Sequence, residues 1–114
     1  MKTLKDRMSN IIDVLENNKA LDCKMLNLQN NDYFADGVII STALNTKHTS
    51  SLVVNLQKTI KTDETFLNLD DSSDGWIVID MCDIIVHIMT KDYRDNFSLD
   101  DFFDKLLSFK KEND

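Results

Sequence analysis

Asp80 and Asp83 stand three residues apart between two apolar runs, and carboxylates so paired can bind magnesium or do acid/base work. No glycine-rich phosphate cradle precedes them, so turn geometry and solvation are the simpler explanation. His87 alternates with Val86 and Ile88 and reads as a partly buried imidazole bonded to a polar neighbour, without a second metal ligand nearby in sequence. Lys47 and His48 fall in the first turn of a helical segment, where a phosphate or carboxylate could meet free backbone amides. Arg94 lies among Asp92, Asp95 and Asp100, which can pair with it inside the chain or leave it to reach a partner. Cys23 and Cys82 have neither the spacing of a metal knuckle nor the number of a disulfide scaffold, so reduced thiols are expected. No Ser/His/Asp or Cys/His arrangement emerges.

The remaining candidates are adhesive. The lone tryptophan, Trp76, stands at the entrance of the run Gly75–Met89, Met81 at its turn and Met89 at its exit. Large apolar side chains at the ends of a β-ribbon can face outward and anchor a partner. The contact set expected from these considerations is therefore Trp76, Met81 and Met89, with Lys47, His48 and Arg94 at the margins. No catalytic residue, metal ligand or cofactor is expected.

The elements that must position these residues follow from hydrophobic spacing. Leu4, Met8, Ile11, Ile12 and Leu15 recur at three- and four-residue steps, which predicts an amphipathic helix ending near Asn17-Asn18. Asp22–Leu28 reads as a strand, 29–32 as its turn, and Ala35–Thr42 as a second strand in which Gly37 marks a bulge or a close backbone contact. Thr46–Lys61 places Thr49, Leu52, Val53, Leu56 and Ile60 on one helical face, capped by Asn45 or Thr46. Phe66-Leu67 suggests a short strand, and 70–75 a polar loop. Trp76–Asp80 and Asp83–Met89, both rich in β-branched residues, form an antiparallel hairpin. Ser98 caps a last helix, Leu99–Phe109, with a frayed tail after about 110.

A strand, a helix and a following strand favour a right-handed parallel connection. The expected architecture is thus α/β: a single domain over 1–114, with a mixed sheet of about five strands packed by three helices. A chain of 114 residues buries enough surface for one core. Its longest apolar stretch is far short of the roughly 20 residues that span a bilayer, and the N-terminus reads as a polar helix instead of a secretory signal. A soluble, cytoplasmic protein is expected. The formal charge of −7 repels phosphate backbones and suits a basic protein partner better than nucleic acid.

Several segments in order resemble the ribosomal silencing factor family, also called Iojap-like. They are Lys19-Ala20-Leu21-Asp22, the run from Asp36 to Thr42, Lys47-His48, the run from Trp76 to Met89, and Arg94, Phe97 and Leu99-Asp100. The resemblance implies a nucleotidyltransferase-like outline. It also implies docking on the large ribosomal subunit through that subunit's protein number fourteen, obstructing its joining to the small subunit when nutrients are scarce. The family usually has Gly where this chain has Ala43 and Cys82, Arg at Lys47, Glu-Gly at Leu69-Asp70 and Trp at Phe103. If the turn at Cys82 needs a positive φ, a side chain there costs on the order of 1 kcal/mol.

Two other classes compete with steric silencing. One is a nucleotide-handling enzyme using Asp80 and Asp83 with magnesium; the other is a homodimeric adaptor whose apolar hairpin meets its own copy.

Overall fold

The structure, a computed structural model, describes the backbone of residues 2–112 and the side chains through residue 108. In chain order the elements are α1 (Leu4–Asn17), β1 (Leu21–Asn27), β2 (Gly37–Ala43), α2 (Thr46–Ile60), β3 (Asn68–Ser73), β4 (Trp76–Asp80), β5 (Ile84–Thr90), α3 (Lys91–Phe97) and α4 (Leu99–Glu112). The strands form one mixed sheet in the order β1-β2-β5-β4-β3, with only the β2–β5 pair parallel.

Alternation along the strands builds a core on each face. Ile39, Ile77, Ile79, Ile84, Val86 and Ile88 point toward Met8, Ile11 and Leu15 of α1 and Leu52, Leu56 and Ile60 of α2. Val38, Ile40, Ile85 and Met89 point the other way, toward Phe103 of α4. The strands β2 and β5 are buried almost without interruption because both of their faces are covered. Truncating one of these buried aliphatic side chains to alanine costs about 2–5 kcal/mol.

The helix starts are chemically specified. Thr3 and Asp6 form a reciprocal capping box on α1. Asn45, not Thr46, caps α2 by accepting from the His48 amide. Gly37 makes the anticipated close contact: a Cβ there would lie 2.6 Å from the Met8 sulfur. Register shifts fall elsewhere, between Leu21 and Lys24 of β1 and between Asp70 and Ser73 of β3.

Four expectations need correction. Residues 70–73 are not loop but most of β3, an exposed edge strand joined to β4 by the two-residue turn Asp74-Gly75. Its acidic, serine-rich sequence conceals a strand because edge strands carry charge on purpose. The parallel partner of β2 is therefore β5, reached only after α2 has led to the far edge and β3–β4 have folded back. Among the described residues there are four helices rather than three: α3 is the short extra one, capped by Thr90 and ended by Ser98 in the left-handed conformation (φ 49°). The backbone of α4 continues to Glu112, past the expected end at Phe109; residues 113 and 114 of the supposed frayed tail lie outside the described residues.

Candidate functional site

Trp76 opens β4 and packs against the core on the α4 side of the sheet. Its half-buried indole packs 5.9 Å from the Tyr93 ring and 5.1 Å from Phe97, centroid to centroid, and Tyr93 stacks on Phe97 at 5.6 Å. Phe97 ends α3 with 58% of its surface exposed. The three rings make an aromatic shelf open to solvent on one side. Indole Nε1–H donates to Nδ1 of buried His87 at 3.2 Å, so the polar edge of Trp76 is turned inward and the part of the ring that Tyr93 and Phe97 leave uncovered is apolar.

Carboxylates border this shelf. On one side a groove of about 160 Å³ runs along β3 and β4 between Trp76, Val78, Ser72, Ser73 and Asp70. On the other, Tyr93 forms a wall of a larger groove, about 450 Å³, which Asp74, Asp92, the α2 start Leu44-Asn45-Thr46 and Lys91, itself paired with Asp95 at 2.7 Å, also line. Leu44 is 57% exposed there. Hydrogen bonds from the Ser72 hydroxyl and amide hold the Asp70 carboxyl below its ordinary value, keeping it charged. Aromatic surface rimmed by fixed negative charge fits a basic, partly apolar partner.

Of the residues expected to meet a partner, Trp76 alone takes part in the shelf. Met81 is 2% exposed in the α1/α2-side core, and Met89 is fully buried against the other face. The expectation that both face outward is corrected. The hairpin turn points Cys82 to water instead, and the side chain at a strand exit is drawn inward where a helix, α3, begins directly after it. Lys47 is exposed at the α2 start. His48 is committed internally: its Nδ1 accepts from the Leu44 amide at 2.9 Å and its Nε2 donates to the Asn18 carbonyl at 2.8 Å, strapping the end of α1 to the start of α2.

Arg94 is likewise engaged within the chain. Its guanidinium makes a two-point contact with Asp100 and donates to the Asp22 carbonyl and the Thr42 hydroxyl. Asp22 has φ 49°, so Arg94 anchors the irregular start of β1 to α3 and α4. Sequence reasoning missed Tyr93, Phe97 and Leu44 as surface groups. Phe97 was visible in the pattern Arg94-x-x-Phe97, but its exposure depends on α3.

The carboxylates once weighed for catalysis have structural partners. Asp83 takes two hydrogen bonds from Arg7, at 2.6 and 2.9 Å, and Arg7 reaches Glu64 with two more, at 2.9 and 2.7 Å. That pairing holds the Asp83 carboxyl below the usual range. Asp80 accepts from the Cys82 amide at 2.8 Å, an Asx turn that shapes the hairpin. Among the described residues no three His, Cys, Asp or Glu side chains converge as metal ligands. Nor is any helix there long and apolar enough to cross a membrane.

The sequence pattern of the family described as "Ribosomal silencing factor during starvation" (RsfS) matches residues 1–114. This chain belongs to the ribosomal silencing factor family. It is 28% identical over 92 residues to the protein named Ribosomal silencing factor RsfS of Haemophilus influenzae, covering 79% of this chain and 90% of that one. A crystal structure of a Chromobacterium violaceum protein is similar to it in fold, with a TM-score of 0.78 at 20% identity over 86% of this chain and 83% of the other. Another, from Bacillus halodurans, has a TM-score of 0.74 at 20% identity, over 86% and 93%.

The positions that the resemblance marked as unusual now have locations. Cys82 has φ 76°, a left-handed conformation that a glycine would adopt without cost. Phe103 is 1% exposed, edge-on to Tyr33 at 5.5 Å and 6.4 Å from His87, so the smaller ring fills the core beneath the shelf. Leu69 and Asp70 form the β3 edge, where Asp70 pairs in register with Val78. Ala43 closes β2 in the α1/α2-side core.

Proposed function

We propose that this protein silences ribosomes by occupancy: it docks on the large ribosomal subunit through that subunit's protein number fourteen, and its bulk blocks the small subunit from joining. The observation that carries this reading is the solvent-open shelf of Trp76, Tyr93 and Phe97, edged by Asp70, Asp74 and Asp92, in a chain of the ribosomal silencing factor family. The rings would bury apolar area and act as the energetic centre, while the carboxylates and the overall charge of −7 would steer a basic partner and set the salt dependence of encounter. Exposed Leu44 and Lys47 at the α2 start would extend the contact. Arg94 would contribute indirectly, by holding α3 and hence Tyr93 and Phe97 in place.

The mechanism needs no turnover and no cofactor. It places the protein in the cytoplasm with the ribosomes it serves, and a free copy could cover the same shelf with a second copy until the subunit displaces it. Sedimentation of purified large subunits with and without the protein tests the proposal. Co-migration with the large subunit, and fewer joined particles when small subunits are added, is the expected outcome. Co-migration with joined particles and no loss of them would overturn the steric mechanism.

A further inference from the structure

His87 lies under the shelf at the middle of β5, 8% exposed, its ring centroid 6.0 Å from the indole of Trp76 and 6.4 Å from Phe103. Around it are Ile40 of β2 and Val78 of β4, its register partners, and the Phe103 ring of α4. The indole Nε1–H donates to its Nδ1 at 3.2 Å, a contact that places the imidazole proton on Nε2. A charged imidazole would carry a proton on Nδ1 and oppose donor to donor. Burial alone lowers this group to about 4, which keeps Nδ1 free to accept at neutral pH.

An indole on an open strand has two side-chain torsions to fix before it can serve as a rigid anchor, and ordering it only on contact weakens binding. Phe97 and Tyr93 restrain its faces, but only a polar partner fixes which edge points inward. We propose that His87 is a positioning residue, whose Nδ1 acceptor holds the Trp76 indole in the orientation that the shelf presents to the large subunit. This rests on the docking role proposed above.

The chain has one tryptophan, so a single indole N–H resonance reports the contact. In the free wild-type protein that proton should exchange with water at least about tenfold more slowly than a solvent-exposed indole; exchange at the exposed rate overturns the proposal without any variant. In His87→Leu the exchange should accelerate and affinity for purified large subunits fall about fivefold, mostly through faster release. His87→Gln, which retains an acceptor, should recover part of both. The double variant Trp76→Ala/His87→Leu should bind no more weakly than Trp76→Ala alone. Wild-type affinity in His87→Leu despite a freed indole N–H would refute positioning and leave the docking surface standing. Wild-type affinity in Trp76→Ala would instead refute the docking surface itself.

Discussion

The indole of Trp76 and the phenyl ring of Phe97 meet at 5.1 Å, inclined by 51°, and so join the first residue of β4 to the last residue of α3. Twenty-one positions of sequence separate two halves of one surface. Phe97 is the more exposed half and touches the core least, which makes it the cleaner probe of binding. Phe97→Ala should weaken association with the large subunit by about 2 kcal/mol, some thirtyfold. Its melting temperature should shift little, and the check is a binding isotherm alongside a thermal melt.

His87 makes stability depend on pH in an identifiable window. The unfolded imidazole takes up a proton near 6.5, whereas the folded one does so only at about 4 because burial penalises its charge. The unfolded state therefore binds more protons between those values, and stability falls as pH drops from about 6.5 to 4, by about 3 kcal/mol in all. Asp83 and Asp100, held low by Arg7 and Arg94, add their losses further down, as pH falls through the ordinary carboxylate range. Urea unfolding at pH 7.5 and 5.5 should show the first part of the loss, about 1.3 kcal/mol, in the wild type and much less of it in His87→Gln. An equal loss in both would exclude His87 as its source.

Arg7 is the tie between α1, the segment after α2 and the β4–β5 turn. Removing it strands Glu64, whose side chain is 6% exposed, whereas Asp83 at 37% can rehydrate. Arg7→Ala should therefore destabilise the fold by about 3 kcal/mol, and Asp83→Asn by clearly less. Chemical denaturation of the two variants measures the difference.

Cys82 is exposed and held at φ 76°. Cys82→Gly should relieve the left-handed strain at small cost in contacts and stabilise the protein by roughly 0.5–1 kcal/mol, net of the greater freedom glycine gives the unfolded chain. A higher denaturation midpoint with an unchanged slope is the expected result.

Much of the fold was legible because its signals were local. The three- and four-residue spacing in α1 and α2, the Asn45 cap and the β-branched runs of β2, β4 and β5 each act within a few residues. The edge strand β3 was hidden because Asp70, Asp71, Ser72 and Ser73 carry the polarity of a loop, and only pairing with β4 makes them a strand. The partial exposure of Trp76 was legible, but the burial of Met81 and Met89 was not. Which end of a hairpin faces water depends on what packs above it, here α1 and α2 over Met81 and the α4 side over Met89. The pairing of Arg94 with Asp100, six residues on, was among the options the sequence offered, but its contacts to Asp22 and Thr42 and that of His48 to Asn18 were not, because those partners lie 30 to 72 residues away.

The most direct test of silencing by occupancy is a density-gradient profile of equimolar small and large subunits under joining conditions, run with wild-type protein, with Trp76→Ala and with Phe97→Ala. The account predicts that the wild type co-migrates with the large subunit and depletes joined particles, while both variants, folded by circular dichroism, leave them intact. Depletion by the variants equal to that by the wild type would contradict it.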